Sequence, residues 1–189
     1  MKMTMFEEII IAGFGGQGIM SMGQLLAYAG MYEEKHISWL PSYGPEQRGG
    51  TANCAVVISH EAVGSPLVTV PSTAIVLNNP SFEKFEAKVK TGGLLIIDTS
   101  LVTKESLRED ITIIKINATE LANELGNTRI ANMILLGAFI EKTKILGMES
   151  IMEALKKVLG PSKHHLLELN HKALLRGTTL VQQQIGFTG

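Results

Sequence analysis

Ile9-Ile10-Ile11-Ala12-Gly13-Phe14-Gly15-Gly16-Gln17-Gly18 is a short apolar run that feeds directly into a glycine-rich loop. A stretch with helical spacing follows, with Ile19, Met22, Leu25, Leu26 and Ala29 on one stripe. A run without polar alternation reads as a strand covered on both faces, which is how parallel strands of α/β proteins read. The segment therefore predicts a strand, a tight turn and a helix at the carboxyl edge of a largely parallel sheet. Gly13 is expected to allow the turn, Gly15 a close backbone approach, and Gly18 a close helix–strand contact. The free N–H groups at the start of the helix make a ready anion site.

Outward from this loop, the sequence predicts strands over 6–12, 36–40, 51–59, 73–77, 94–98 and 111–116. A short returning strand is expected over Leu67–Val70, forming a hairpin with 51–59. The proline- and glycine-rich stretch Pro41 to Gly50 is expected to be irregular. Helices are expected over 17–31, over 80–90 capped by Asn79, and over 118–125. A long apolar helix should run from Asn127 or Thr128 to Leu146, another from the capping-box spacing at Ser150, or from a residue or two before it, to Leu159, and a last one, capped by Ser162, to Gln184. Strands alternate with helices over two thirds of the chain, and the last third is helical. This pattern predicts one domain over residues 1–189: α/β, a three-layer αβα Rossmann-like fold with a mainly parallel, mixed sheet and a helical C-terminal third.

Composition limits what the chain can do. The 17 basic and 18 acidic residues nearly cancel, so no bulk field draws nucleic acid or an anionic membrane. No apolar run reaches the length of a membrane span, and too few residues precede the first strand for a signal peptide. A cytoplasmic protein is expected. A single cysteine, Cys54, cannot form an internal disulfide, a four-thiolate iron–sulfur site or a structural zinc site. It reads as a small buried hydrophobe. The five histidines show no metal-ligand spacing. Asp98, at a strand end, is the best-placed acid, and reads as a cap or turn residue.

A dinucleotide site needs a carboxylate at the end of the second strand to hold the ribose. That strand ends here in Leu40-Pro41-Ser42, while Glu33 and Glu34 precede it, at the wrong edge. No Lys-Ser or Lys-Thr follows Gly18, as a P-loop would require. The second unusual stretch, Ser42-Tyr43-Gly44-Pro45-Glu46-Gln47-Arg48-Gly49-Gly50, carries a cation before two glycines, suited to a phosphate or carboxylate. It follows the second strand and so should share the carboxyl edge with the glycine loop.

GFGGQG over 13–18, SYGPEQRGG over 42–50, TANCAVVIS over 51–59 and GNTRIANMILLGAF over 126–139 together resemble the gamma subunit of 2-oxoacid:ferredoxin oxidoreductases. The wording is nearest the 2-oxoglutarate and branched-chain types. The resemblance implies membership of a complex. Alpha and beta subunits hold thiamine diphosphate and Mg²⁺, iron–sulfur clusters sit in the beta subunit or a ferredoxin-like delta subunit, and ferredoxin accepts the electrons. The complex converts a 2-oxoacid, 2-oxoglutarate foremost, to its acyl-CoA. The gamma component has no cofactor of its own, packs on the alpha subunit and helps to receive coenzyme A. On this reading Gly13, Gly15, Gly16, Gln17 and Gly18 offer backbone donors. Ser42, Tyr43, Gln47, Arg48, Gly49 and Gly50 form the second loop, and Arg129 is a further cation. No catalytic or metal-binding residue is expected, and the isolated chain should be inactive and prone to self-association. Two alternatives are an NAD(P)-binding Rossmann-type reductase and the beta subunit of indolepyruvate:ferredoxin oxidoreductase.

Overall fold

The computed structural model describes residues 6–43 and 51–186. Six strands form one mixed sheet in the order β2-β3-β1-β4-β5-β6. They are β1 (Phe6–Phe14), β2 (His36–Tyr43), β3 (Thr51–Ser59), β4 (Thr73–Val76), β5 (Leu94–Asp98) and β6 (Thr112–Ile116). β1, β4, β5 and β6 run parallel, and β3 runs antiparallel to both β1 and β2. The predicted α/β class and mixed sheet are observed, but the antiparallel element arises differently. The hairpin is β2–β3, and Leu67–Val70 forms no strand.

The expectation that Pro41 onward is irregular also needs correcting. Pro41, Ser42 and Tyr43 continue β2, opposite Cys54, Asn53 and Ala52. β2 lies at the end of the sheet, and an edge strand tolerates a residue with no N–H to donate outward.

The two sheet faces are unequally clothed. Ile9, Ile11, Cys54, Val56, Ile75 and Ile96 point to the thicker side. There they meet α1 (Ile19–Tyr32), α3 (Ala118–Glu124), α4 (Ala131–Thr143), α5 (Met148–Leu159) and α6 (Leu167–Gly186). The α1 stripe read from the sequence is the buried one. α4 is buried on every side from Ala131 to Ile140, because the sheet and α1 lie on one flank and α6 on the other. A helix that is apolar all round needs such a position. α4 and α6 approach closely through Gly137 and Gly177. A Cβ on Gly177 would lie 1.8 Å from the Ile134 carbonyl oxygen, and one on Gly137 2.0 Å from that of Leu174.

On the other face, Ile10, Ala12, Ala55, Ala74, Val76, Leu95 and Ile97 pack mainly against Phe82 and Phe85 of α2 (Asn79–Phe85), with Val89 and Val102. The chain's three layers are thus one helix deep on this side and two deep on the other.

Several helix ends differ from expectation. Asn78, not Asn79, caps α2, its side chain accepting the Ser81 N–H at 2.8 Å. The apolar run after Asn127 ends at Thr143, where Lys144 turns left-handed at φ 53°, short of Leu146. α5 begins at Met148, two residues before Ser150 and so at the earlier of the expected starts, which leaves Ser150 inside the helix rather than capping it. Pro161–Leu166 is a 3₁₀ turn ahead of α6, so Ser162 caps nothing. The backbone sets these boundaries: Lys144 and Gly160 turn left-handed, while Asn78 and Gly147 are extended, and side-chain preference alone does not locate such changes.

Candidate functional site

The glycine loop leaves β1 at the carboxyl edge. Gly13 is still part of β1, opposite Ala52, and makes a close contact rather than a turn. A Cβ there would lie 2.5 Å from Gln17 Oε1 and 3.1 Å from Leu77 Cβ. The left-handed positions are Gly16 at φ 93° and Gly18 at φ 77°, where glycine carries no steric penalty. Gly15 has open space around it, with no atom within 4 Å of where its Cβ would stand. Gly18 is the N-cap of α1 and supplies no side-chain cap to the first turn. Its close neighbour is Asn132 on α4, rather than a strand. Asn132 Nδ2 donates to the Gly18 carbonyl at 3.3 Å, and a Cβ on Gly18 would lie 2.2 Å from that nitrogen.

Gln17 departs from the role expected of it. Its backbone N–H donates to the Phe14 carbonyl at 3.2 Å, so it is spent within the turn. Its side chain ties two strand ends together: Oε1 accepts the Phe14 N–H at 2.5 Å, and Nε2 donates to the Leu77 carbonyl at 3.2 Å. Gln17 thus shapes the loop by pinning the end of β1 to the end of β4.

Two cavities flank this loop, and Gly16 and Arg129 line both. One, of about 200 Å³, lies over the β1/β4 edge and is bounded by Gly16, Gln17, Leu77, Thr119, Thr128 and Arg129. The other, of about 300 Å³, lies between α1, α4, α5 and α6, with Ser21, Asn132, Lys163 and Asn170 among its polar lining and Leu155 and Leu159 in its apolar lining. Neither lining includes an acidic side chain among the described residues. The nearby buried acid, Asp98, is engaged elsewhere. Its Oδ2 accepts the Thr119 hydroxyl at 2.6 Å, and its Oδ1 accepts the N–H groups of Ser100 and Thr119 at 3.1 and 3.3 Å. It therefore acts as the turn and cap residue that the sequence suggested.

Arg129 is positioned by the 3₁₀ turn Thr128–Ile130, where the Asn127 side chain accepts the Arg129 N–H at 3.0 Å. Its side chain is exposed at the junction of the two cavities. A guanidinium beside an uncapped helix start, with no carboxylate in the lining, suits a phosphate or carboxylate group.

Ser42 and Tyr43 stand exposed at the end of β2 and line neither cavity. Gln47, Arg48, Gly49 and Gly50 lie outside the described residues. Register pairs Tyr43 with Ala52 and Thr51 with Phe14, so both ends of the segment that holds them meet the carboxyl edge, as expected. The second strand, however, is separated from β1 by β3. The strand beside β1 on that side is antiparallel, which removes the neighbouring carboxyl end where a ribose-binding acid would sit.

Thr119, Lys163 and Asn170 escaped the sequence reading. Thr119 had a usable signal, since it opens the helix after β6 and so stands at the carboxyl edge. Lys163 and Asn170 come from the helical C-terminal third, and no local pattern indicates that this segment folds back to the loop. Cys54 is fully buried, its Sγ donating to the Ile19 carbonyl at 3.6 Å, and burial pushes its thiol up to about 12. A thiol held protonated in this way does not fit an iron–sulfur ligand. Among the described residues no three His, Cys, Asp or Glu side chains gather as a metal site would require. No helix among them is long and apolar enough to cross a membrane.

A mixed sheet of this order, with a glycine loop leaving the carboxyl end of β1 for α1, defines an α/β domain of the three-layer class. Residues 8–180 match the family model described as pyruvate ferredoxin/flavodoxin oxidoreductase, and the chain belongs to that family. It is 41% identical over 180 residues to the ketoisovalerate oxidoreductase subunit VorA of Methanothermobacter marburgensis, covering 94% of this chain but 37% of that one. The chain therefore spans a little over a third of that relative. Its fold matches the crystal structure of the gamma subunit of a keto/oxoacid ferredoxin oxidoreductase from Geobacter sulfurreducens, with TM-score 0.80, 30% identity, and coverage of 94% of this chain and 99% of that chain. It also matches 2-oxoglutarate:ferredoxin oxidoreductase from Magnetococcus marinus, whose structure has 2-oxoglutarate, coenzyme A and succinyl-CoA bound, with TM-score 0.86, 26% identity, and coverage of 94% of this chain and 31% of that chain.

Proposed function

We propose that this chain is the gamma subunit of a cytoplasmic 2-oxoacid:ferredoxin oxidoreductase and helps to hold coenzyme A while partner subunits carry out the chemistry. Those partners are the alpha and beta subunits, with a ferredoxin-like delta subunit, and ferredoxin is the acceptor. Thiamine diphosphate and iron–sulfur clusters, bound in the partners, supply decarboxylation and electron transfer. The substrate is a 2-oxoacid of the dicarboxylic or branched-chain type, with 2-oxoglutarate the first to test. The observation that carries this reading is the pair of acid-free cavities meeting at Gly16 and Arg129.

The chain's own residues do three things. Gly16 and Gly18 let the backbone turn left-handed, so the start of α1 stays bare of side chains. Arg129, and Lys163 behind it, place positive charge where a phosphate of coenzyme A can lie. Gln17 holds the loop against the end of β4.

The test is steady-state kinetics of the assembled complex carrying Arg129→Ala. A lost charge-assisted hydrogen bond predicts a KM for coenzyme A raised roughly tenfold or more, with the KM for the 2-oxoacid unchanged. An unchanged KM for coenzyme A would remove Arg129 from the site. Tight binding of NAD or NADP by the chain would return the reductase reading.

A further inference from the structure

The larger of the two cavities at the glycine loop is graded from its depth to its mouth. Leu25, Met133 and Leu155 line it from three different helices and are buried, so its depth is apolar. Arg129 and Lys163 line it too but are exposed, so they stand at its mouth. Two amides complete the lining: Asn132 of α4 and Asn170 of α6, only 5% and 8% exposed.

Both amides have a fixed sense. Nδ2 of Asn132 donates to the Gly18 carbonyl at 3.3 Å, and Nδ2 of Asn170 donates to the Leu166 carbonyl at 2.8 Å. Reversing either amide would set its oxygen against a carbonyl oxygen, so Oδ1 is the open end of each. No hydrogen bond among the described residues reaches either Oδ1. A largely buried amide oxygen without a partner carries a desolvation cost that an incoming donor removes. The cavity therefore suits a ligand with N–H groups at its inner end, apolar faces beside them and negative charge at its outer end.

That order matches one end of coenzyme A. Adenine is a flat ring with apolar faces and an amino group that donates two N–H bonds, and its ribose carries the phosphates. The pantetheine arm also has amide N–H groups, but it ends in the thiol, which must stay free to take the acyl group on a partner subunit. A volume of about 300 Å³ is at the lower limit for ligand sites, enough for a base but not for the whole molecule. We propose that this cavity is an adenine pocket. Asn132 and Asn170 accept from the amino group, Leu25 and Leu155 pack against the ring, and Arg129 and Lys163 meet the phosphates at the mouth. The proposal rests on the coenzyme A reading above. It adds which end of the molecule this chain grips, and which side chains select it.

The test uses the assembled complex, supplied with coenzyme A or with its hypoxanthine analogue, in which an oxygen replaces the ring amino group. In wild type the KM for the analogue should exceed that for coenzyme A about tenfold, the effect of leaving a buried acceptor unpaired. Asn170→Ala should raise the KM for coenzyme A about tenfold and bring the two cofactors within about threefold of each other, with the KM for the 2-oxoacid unchanged. Adenosine 3′,5′-bisphosphate should compete with coenzyme A about tenfold more weakly in Asn170→Ala than in wild type, while 4′-phosphopantetheine inhibits both alike. If Asn170→Ala melts early, Ser21→Leu replaces it. That change narrows the cavity from part-exposed α1 surface and is scored by loss of bisphosphate competition. Wild type that does not discriminate, or folded Asn170→Ala that still discriminates fully, would overturn the adenine pocket. So would variants that weaken phosphopantetheine rather than the bisphosphate, which would place the other arm here. In each of these cases a raised KM for coenzyme A in Arg129→Ala would leave the coenzyme A reading standing. A complex indifferent to both substitutions would lose both.

Discussion

Two glycines of the loop make opposite predictions. Gly18 holds φ 77°, and a Cβ there would strike Asn132. Gly18→Ala should therefore cost about 1–3 kcal/mol, read as a shifted urea midpoint. Gly15 is not left-handed and has open space beyond its Cα, so Gly15→Ala should stay within about 0.5 kcal/mol of wild type. A bulkier residue at Gly15 should then impair coenzyme A use in the complex without unfolding it. Equal destabilisation by the two alanines would mean the loop is not built as described. Gln17 belongs to the same scale. Gln17→Glu keeps an acceptor for the Phe14 N–H but loses the donor to the Leu77 carbonyl. It should cost about 1 kcal/mol in denaturant titration, because a part-buried carbonyl loses its partner.

At the scale of elements, two junctions hold the thick side of the molecule. Lys35, just after α1, donates to the Ile145 carbonyl and pairs with Glu33 at 2.9 Å, while Glu33 accepts the Gly147 N–H at 2.6 Å. This staple joins the end of α1 to the link between α4 and α5. Burial pushes the Glu33 carboxyl up, but hydrogen bonds from Gly147, Lys35 and Ser150 outweigh it and hold the group below its ordinary value. A depressed carboxylate adds stability above its unfolded pKa and loses it as pH falls through the folded value. Wild type should thus lose part of its stability below about pH 4.5, and Glu33→Gln should show a smaller loss there. Melting temperatures across pH 3–7 read the difference directly. The α4–α6 crossing is the second junction. Gly177→Ala drives a methyl into the Ile134 carbonyl, so separation of the helices should cost about 2–3 kcal/mol or more. A Gly177→Ala chain that melts like wild type would contradict the close crossing.

At the scale of the whole molecule, the parallel core was legible because buried strands and amphipathic helices leave a strong local signature. β1, α1, β3, β4 and β5 lie within one to three residues of their expected bounds. Pro41 misled the reading of β2, since proline's effect depends on whether the strand lies at an edge, which is a property of the sheet. Leu67–Val70 misled it in the opposite way. An apolar run with strand-like residues instead lies irregularly across a sheet face, with Val68 inward. Of the candidate site, Gly16 and Arg129 were named and do meet, Gln17 was named in a role it does not have, and Lys163 and Asn170 were not named at all.

What the residue order settled is local: a buried strand ending in glycines, the helix after it, the absence of thiolates for a cluster, and the missing acid for a dinucleotide. Each follows from interactions spanning a few residues, or from counting side chains. What folding in three dimensions settled is the assembly of distant parts. Inserting β3 between β1 and β2, and folding the C-terminal helices back beside Gly18, depend on which apolar faces pack best. That competition is decided across more than a hundred residues, and short-range pattern carries no record of it.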